Sequence, residues 1–321
     1  MSYNANYLKD SVIFITGGTG SFGKAAVKML LNLSPAKIII YSRDELKQHD
    51  MARTFNQPCM RYMIGDVRDL GRLTRAMEPA DFVIHAAAMK QVPTCEYNPI
   101  EAIRTNIEGT KNVILAARQN AVEAAVLLSS DKACAPLNLY GATKMVAEKL
   151  FIHGHVYSSG HYPFLSVVRY GNVVGSRGSV IPIFQQQAAS GVLKVTDPNM
   201  TRFWITLEEA VTFVFLTLGM STGREIHVPK LPAMRIIDLA SAIAPDADIE
   251  IIGRRPGEKL HELLIAPGET YRTAEMEKYF IILPDDPKRI GKYQAHLTQR
   301  EQYSSDDPYR WLSSEELKEM I

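Results

Sequence analysis

The sequence predicts an α/β protein in which a Rossmann-type, doubly wound parallel sheet carries a smaller C-terminal lobe. Over the first 170 residues, short β-branched runs alternate with longer amphipathic stretches, as in parallel strands joined by crossover helices. A glycine-rich turn directly follows the first of these runs. After residue 170, glycine, proline and arginine become frequent, which is typical of a smaller, irregular lobe built over a sheet.

The predicted strands follow one another along the first half of the chain, at residues 12–16, 37–42, 61–64, 82–85, 125–129 and 164–169. Residues 1–170 are therefore interpreted as the sheet domain, rejoined at about 205–228, and 171–321 mainly as the second lobe. A serine-led capping box at 313–316 predicts a last short helix. Ligands of open parallel sheets bind at the carboxyl ends of the strands, so chemistry is expected in the loops there.

Composition excludes several functional classes. The 321 residues include 36 Lys plus Arg and 35 Asp plus Glu, for a net charge of +1. This balance predicts neither a nucleic-acid nor a membrane partner. The N-terminus lacks the pattern of a secretory signal, and no apolar stretch reaches the roughly 18 residues of a membrane span. Cys59, Cys95 and Cys134 fit neither a disulfide framework nor a CxxC metal site, so a cytoplasmic location is expected.

The glycine-rich turn after the first strand predicts a nucleotide site. Gly17 permits the tight turn, Gly20 lets the backbone approach a pyrophosphate, and Gly23 allows close packing of the helix that follows. The helix N-terminus adds free N–H groups and positive potential. A purely structural turn is the alternative. The other residues of the turn that we expect to contact the cofactor are Thr19, Ser21 and Phe22.

The end of the second strand favours NADP over NAD. An NAD site usually has a carboxylate there for the ribose hydroxyls, but this chain has Ser42 and Arg43. Arg43, helped by Lys47, is predicted to hold a 2′-phosphate through charge-assisted hydrogen bonds. The alternative is a pair of solvated charges beside Asp44 as a helix cap. Asp66 after the third strand, followed by Val67, is predicted to accept from the adenine amino group, or else to be a plain turn residue.

The loop after the fifth strand and the next helix carry the candidate catalytic residues. Tyr140 and Lys144 are four positions apart and therefore share one helix face. An ammonium near a phenol lowers the pKa of the phenol, so the tyrosine can exchange a proton with a sugar hydroxyl. A Tyr-x-x-x-Lys spacing is common by chance. Its combination with the nucleotide turn, and with Ser129 and Ser130 at the end of the preceding strand, favours a catalytic role over a structural one.

Taken together, these motifs resemble the extended short-chain dehydrogenases/reductases, the family of nucleotide-sugar epimerases and dehydratases. The segments 41–48, 85–88, 130–133 and 138–144 resemble more narrowly the inverting UDP-N-acetylglucosamine 4,6-dehydratases, which open pseudaminic acid synthesis for flagellin glycosylation. The similarity continues in the segments 169–179, 200–204, 255–259 and 303–306, so it spans nearly the whole chain. The resemblance implies NADP as cofactor, UDP-N-acetylglucosamine as substrate and a homo-oligomer, commonly a hexamer.

The most diagnostic pair is Asp131-Lys132, because retaining dTDP-glucose 4,6-dehydratases carry Asp-Glu there and simple 4-epimerases carry neither group. The resemblance implies that Asp131 protonates the departing C6 hydroxyl and that Lys132 removes the C5 proton, with inversion at C5. Lys132 must then be neutral, which requires burial or a cationic neighbour such as Lys144 to lower its pKa. A surface ion pair is the alternative. Ser130 stands where the family has threonine and keeps the hydroxyl that binds O4.

The resemblance also implies a set of binding residues. Ala86, Lys90 and Val173 join the cofactor site, and the residues implied for the UDP-sugar are Lys90, Asn172, Arg177, Arg202, Arg255 and Glu258. A planar guanidinium suits a pyrophosphate, although a solvated or interdomain salt bridge is the alternative for each arginine. The rival functions are a UDP-sugar 4-epimerase or dehydratase-epimerase and a non-catalytic NADP sensor. A metal site is not expected at His153, His155 and His161, nor at His261-Glu262.

Overall fold

The computed structural model describes residues 6–154, 163–176 and 179–321, and its centre is a nine-stranded sheet. The strands are β1 (Val12–Thr16), β2 (Lys37–Ser42), β3 (Met60–Ile64), β4 (Phe82–His85), β5 (Ala124–Ser130), β6 (Phe164–Tyr170), β7 (Asn172–Val173), β8 (Val192–Val195), β9 (Thr201–Ile205), β10 (Ile226–Pro229), β11 (Ala233–Arg235), β12 (Asp248–Ile251), β13 (Leu263–Ile265), β14 (Thr273–Glu275), β15 (Tyr279–Ile282) and β16 (Tyr303–Ser304). The helices are α1 (Ser21–Leu30), α2 (Glu45–Thr54), α3 (Leu70–Met77), α4 (Val92–Tyr97), α5 (Pro99–Ile103), α6 (Gly109–Gln119), α7 (Leu139–His153), α8 (Val180–Ala188), α9 (Leu207–Met220), α10 (Ile236–Ile243), α11 (Pro287–Lys292) and α12 (Ser314–Met320).

The order of the strands in the sheet is β14-β15-β10-β6-β5-β4-β1-β2-β3. Strands β1 to β6 and β10 run parallel, whereas β15 and β14 form an antiparallel edge. Strand β1 lies between β2 and β4, so successive connections leave it in opposite directions. This reversal opens a crevice at the carboxyl ends of the strands, where ligands of doubly wound sheets bind. The predicted fold class is confirmed.

The predicted strands are also confirmed, and each end lies within one residue of the prediction. Their sequences suit a parallel sheet because both faces are covered by helices, which favours continuous apolar runs. In β2, for example, Ile38, Ile39 and Ile40 are all fully buried. The predicted last helix is α12, and Ser313 and Glu316 form its capping box.

The second half of the chain contributes to the sheet as well as to the smaller lobe. Helix α9 packs on β5 and β6, and β10 pairs with β6. Strands β14 and β15 extend the same sheet, which the sequence did not predict. The smaller lobe contains the short sheets β11-β9-β7, β8-β12 and β13-β16 and has its own apolar cluster around Phe184, Trp204 and Leu239. None of the described helices is long and apolar enough to cross a membrane.

A buried ion-pair network connects the sheet to its surroundings. Arg169 in β6 donates from Nη2 to Glu148 Oε2 in α7 at 2.7 Å and from Nη1 to Glu269 Oε2 at 2.8 Å. Burial alone would raise the pKa of Glu269, but Arg169 outweighs it and lowers that pKa to about 2. Removing one member would leave the others charged and poorly compensated in the interior.

Candidate active site

A cleft of about 870 Å³ lies between the carboxyl ends of the strands and the smaller lobe. It brings together most of the residues that the sequence singled out: Gly17, Thr19, Gly20, Ser21, Phe22, Ser42, Arg43, Lys47, Asp66, Val67, Ala86, Lys90, Ser130, Lys132, Tyr140, Lys144, Asn172, Val173, Arg202, Arg255 and Glu258. Gly23 and Asp131 do not line it and lie behind its wall. Arg177, His155 and His161 are outside the described residues.

The glycine turn has the geometry of a phosphate cradle. Gly17 has a φ of +65°, and a Cβ there would lie 2.8 Å from the Cα of Ala87, so only glycine fits without displacing the next strand's loop. A Cβ on Gly23 would lie 2.0 Å from the carbonyl oxygen of Gly18, which confirms its expected packing role. Gly20 caps α1 without a side-chain hydrogen bond, so the first N–H groups of the helix remain for an anion. These residues fit a dinucleotide.

The residues after β2 differ in part from the prediction. The side chain of Arg43 is 55% exposed at the cleft, 3.5 Å from Asp66. Asp44 caps α2 by accepting from the backbone N–H of Lys47 at 2.9 Å, and it also pairs with the Lys47 ammonium. The capping role that the sequence allowed for Asp44 is therefore present, and its carboxylate is already occupied. Lys47 lines the cleft while its ammonium is paired with the carboxylate of Asp44.

Asp66 has a partner that the sequence analysis missed. Its carboxylate accepts from Arg68 Nε at 2.9 Å, from Arg68 Nη2 at 2.7 Å and from the Arg68 backbone N–H at 2.9 Å. Burial raises the pKa of Asp66, but the hydrogen bonds from Arg68 outweigh it and hold the pKa below its usual range. Asp66 is thus a fixed carboxylate at the cleft. A paired arginine two residues away is a weak sequence signal, because such pairs are common on surfaces.

The turn after β5 forms the centre of the site. Ser130 Oγ donates to Asp131 Oδ1 at 2.7 Å and accepts from the backbone N–H of Lys132 at 3.2 Å. Asp131 is fully buried, and within the described residues its Oδ2 atom has no hydrogen-bond partner. Lys132 Nζ lies 3.0 Å from Asp131 Oδ1 and 3.5 Å from the side-chain oxygen of Asn172. The ammonium and the carboxylate are thus in direct contact at the cleft wall.

Tyr140 and Lys144 lie together on the buried face of α7, as predicted. Asn138 caps this helix by accepting from the backbone N–H of Gly141 at 2.8 Å, and its side-chain amide donates to the carbonyl of Gly257 at 2.9 Å. The cap therefore ties the start of α7 to the loop that carries Arg255 and Glu258.

The predicted electrostatic role of Lys144 is wrong for this structure. Burial raises the pKa of Tyr140 to about 12, and the strongest opposing charge is the ammonium of Lys132, with a further contribution from a hydrogen bond to Ser130. Lys144 Nζ donates to the carbonyl of Leu128 at 2.6 Å. Burial lowers the pKa of Lys144 to about 8, and Glu148 opposes that shift.

The prediction of a dry, neutral Lys132 is also wrong. Its side chain is 27% exposed. Burial lowers its pKa, but the carboxylates of Asp131 and Glu262 outweigh burial and raise the pKa above the usual value. The cation that lowers the pKa of Lys132 is Arg202, whereas the sequence analysis had expected Lys144 in that role. Lys132 is therefore an ammonium in the unliganded protein.

Glu262 is the main functional residue that the sequence analysis missed. It is 2% exposed, and its Oε1 atom lies 3.5 Å from Lys132 Nζ and 3.8 Å from Arg202 Nε. Its other carboxylate oxygen lies 3.5 Å from Lys259 Nζ. The sequence offered no signal for this role, because Glu262 was weighed only as part of a metal motif with His261. The contact depends on how the smaller lobe folds back onto the turn after β5.

The UDP-sugar residues implied by the resemblance have mixed surroundings. The guanidinium of Arg202 donates to the carbonyls of Thr201, Leu260 and Lys259, so most of its donors are already engaged. Lys90 lies at the surface of the cleft, where partial desolvation of its ammonium and, to a smaller extent, the charge of Lys132 lower its pKa. Glu258 accepts from the backbone N–H of Arg255 at 3.2 Å. Contact of these residues with a substrate remains a prediction.

Comparisons with known proteins agree with this site. The family model described as polysaccharide biosynthesis protein matches residues 13–284. The UDP-N-acetylglucosamine 4,6-dehydratase (inverting) of Campylobacter jejuni is 51% identical, and the match covers 96% of each chain. The UDP-glucose 4-epimerase of Rickettsia conorii is 41% identical, with 97% of this chain and 95% of that protein covered. The X-ray structure of Pen from Bacillus thuringiensis superposes with a TM-score of 0.90 at 37% identity, covering 98% of this chain and 99% of that one.

The match to the first relative covers 96% of each chain, so its similarity extends over both the sheet and the smaller lobe. The two curated relatives carry different activities in their names, and the higher identity belongs to the dehydratase. On these matches, the chain belongs to the polysaccharide biosynthesis protein family and, within the short-chain dehydrogenases/reductases, to the family of inverting UDP-N-acetylglucosamine 4,6-dehydratases.

Proposed function

We propose that this chain is a C5-inverting UDP-N-acetylglucosamine 4,6-dehydratase that uses NADP. The observation that carries the proposal is the contact of Lys132 with the buried carboxylate of Asp131, in the same cleft as Tyr140 and the glycine turn. The product is UDP-2-acetamido-2,6-dideoxy-L-arabino-hexos-4-ulose. The glycine turn with α1, Arg43 and Asp66 would hold the dinucleotide, which when bound accepts the C4 hydride of the sugar and returns it to C6.

Tyr140 accepts the proton of the C4 hydroxyl in the first step. Its phenol is buried and has a raised pKa, so the phenolate is a strong base once formed. The nearby Lys132 ammonium and the Ser130 hydroxyl stabilise that phenolate. Ser130, in place of the family's threonine, also supplies a hydroxyl to the sugar O4. Oxidation of C4 to a ketone then acidifies the hydrogen at C5.

The elimination needs a base and an acid, and the resting charges of Asp131 and Lys132 are the opposite of those required. One proton transfer from the Lys132 ammonium to Asp131 across the 3.0 Å contact creates both groups at once. The amine of Lys132 then takes the C5 proton, the C5–H electrons form the C5–C6 double bond, and Asp131 gives its proton to the departing C6 hydroxyl as water leaves. Both residues are then back at their resting charges. A proton from solvent adds to C5 when the hydride returns to C6, and Tyr140 releases the proton of the C4 hydroxyl to solvent, so the protons balance over the turnover.

The direct test is incubation with UDP-N-acetylglucosamine in heavy water, followed by NMR. We expect loss of water from C6 and deuterium at C5. Lys132→Ala should abolish water loss while UDP-sugar binding remains, and Lys149→Ala, an exposed lysine on α7, is the matched control. Normal turnover by Lys132→Ala would overturn the assignment.

A UDP-sugar 4-epimerase is the second candidate, and the Rickettsia relative's name favours it. Its product would keep the 6-hydroxyl group, which the same NMR spectrum distinguishes from a 6-deoxy sugar. A non-catalytic NADP sensor would give no product at all. Against the sensor, Tyr140 and Lys144 are both in place at the cleft.

The preference for NADP rests on Arg43. An exposed guanidinium at the end of β2 suits a 2′-phosphate, and Asp66, the carboxylate 3.5 Å from it, is already held by two hydrogen bonds from the Arg68 side chain. Arg43→Ala should weaken NADP binding while NAD binding changes little, as measured by titration calorimetry. An unchanged ratio of the two dissociation constants would rule this preference out.

By resemblance to the family, whose members are commonly hexamers, we further propose that this chain forms a homo-oligomer. We also propose that it acts in the cytoplasm, in pseudaminic acid synthesis. Light scattering coupled to size-exclusion chromatography measures the assembly directly. A monomer at micromolar concentration would refute that part of the proposal.

A further inference from the structure

The carboxylate of Glu262 lies at the junction of the two lobes. It precedes β13 in the smaller lobe, yet it contacts the turn after β5 in the sheet domain. Two hydrogen bonds fix Glu262 within the smaller lobe, because the Glu262 backbone N–H donates to Ser305 Oγ at 2.8 Å and the Ser305 N–H donates to the Glu262 carbonyl at 2.9 Å. A buried carboxylate is retained only where charge compensates it.

We propose that Glu262 is a positioning residue, whose carboxylate holds the Lys132 side chain against Asp131 and links it to Arg202 of the smaller lobe. The inference rests on the proposed function, since it assigns Glu262 a part in presenting the base of that reaction. Lys132 Nζ lies 3.5 Å from Glu262 Oε1 and 3.0 Å from Asp131 Oδ1. Lys132 is thereby fixed between two carboxylates, one from each lobe.

The cations around Glu262 explain why its carboxylate stays ionised. Burial raises the pKa of Glu262, but Lys132, Arg202 and Lys259 outweigh it and keep the pKa below its usual value. Arg202 is itself held by three carbonyls, and Lys259 donates to the carbonyl of Cys134 beside the catalytic turn. The carboxylate therefore cannot swing away from Lys132 without leaving two fixed cations uncompensated.

Lys132 titrates under the influence of more than one neighbour. The ionisable groups that face it, or whose charge acts on it or responds to it, are Asp131, Glu262, Arg202, Lys90 and Tyr140. Glu262 is the carboxylate among them that comes from the other lobe. Its negative charge makes the amine a stronger base and stabilises the ammonium that forms when the C5 proton is taken. Folding of the smaller lobe is therefore linked to the basicity of Lys132.

Competitive labelling with acetic anhydride tests this without substrate, because only neutral amines react. Lys132 and the exposed Lys149 are quantified in the same sample by mass spectrometry, at several pH values between 7 and 10. We expect Glu262→Gln to raise labelling of Lys132 relative to Lys149 by at least about tenfold, the equivalent of one pKa unit. Glu258→Gln, which removes a carboxylate near Arg202 with no contact to Lys132, should leave the ratio unchanged.

If the ratio of Lys132 to Lys149 labelling in Glu262→Gln is within about twofold of the wild-type ratio, at an unchanged melting temperature, the proposal is overturned. Glu262→Asp keeps the charge and should restore most of the wild-type ratio, which separates loss of charge from a packing defect. The labelling result is independent of water release. If labelling changes as expected but no water is lost from UDP-N-acetylglucosamine, the proposed function fails and the position of Glu262 beside Lys132 stands.

Discussion

Lys144 is expected to destabilise the unliganded protein at neutral pH, and Lys144→Met should therefore stabilise it. The amine is 4% exposed, and burial lowers its pKa from 10.5 to about 8. Its contact with the carbonyl of Leu128 compensates only part of the cost of burying a charge. Methionine has a similar length and no charge, so it fills the same space.

The magnitude follows from the two pKa values. Between about pH 8 and 10.5 the unfolded chain binds more protons at Lys144 than the folded chain, so this residue's contribution makes stability rise with pH there. At pH 7 the difference in pKa corresponds to roughly 3 kcal/mol of destabilisation. The variant also loses the hydrogen bond to Leu128, which costs about 1 kcal/mol. The expected net gain is about 2 kcal/mol at pH 7, falling to nearly zero at pH 9.5.

Urea unfolding followed by circular dichroism, without added nucleotide, measures the stability difference at pH 7 and at pH 9.5. All samples are kept at one protein concentration, because assembly affects apparent stability. Lys149→Met, at an exposed position on α7, is the matched control and should show no such pH dependence. Equal differences between Lys144→Met and wild type at both pH values would refute the reasoning. So would a variant that is less stable than wild type at pH 7.

Three further results are expected. Gly17→Ala should abolish dinucleotide binding in calorimetry and lower the melting temperature, because φ is +65° and a Cβ would press on Ala87; normal affinity would contradict this. Asn138→Ala should cost about 1 kcal/mol in urea unfolding through loss of the α7 cap, whereas no change would show that the cap is dispensable. Glu269→Gln should lower the free energy of unfolding by about 3 kcal/mol at pH 7 in urea unfolding. The difference between wild type and variant should shrink as the pH falls from 4.5 towards 2, because Glu269 then becomes protonated in the wild type.

Much of the sheet domain could be predicted because its signals are local. Apolar runs, the glycine turn and the Tyr140–Lys144 spacing each depend on neighbouring residues, and each is found in the expected place. Strands β14 and β15 were not predicted, since their pairing joins residues far from the first sheet strands along the chain. Sequence periodicity carries no information about which distant strand is the partner.

The residues of the site were easier to predict than their charges. Lys132 was expected to be neutral because only its immediate neighbours could be considered, and among these Asp131 was assigned solely as an acid. The carboxylate of Asp131 contributes most to raising the pKa of Lys132, and the carboxylate of Glu262, from 130 positions further along the chain, adds to it, so that together they reverse the direction of the pKa shift. Burial and charge compete over a few ångströms, so the protonation state of a buried group depends on tertiary contacts.

The contacts of Lys132 also impose an order on the proposed reaction. While Lys132 is an ammonium it lowers the pKa of Tyr140, which helps the phenolate to form and accept the C4 proton. Once Tyr140 is protonated, it no longer needs that positive charge, so the transfer of a proton from Lys132 to Asp131 costs less than it would beside the phenolate. The base for C5 therefore becomes available only after C4 has been oxidised, when the C5 hydrogen is acidic enough to be removed. The same cation assists the oxidation and, by giving up its proton, begins the elimination.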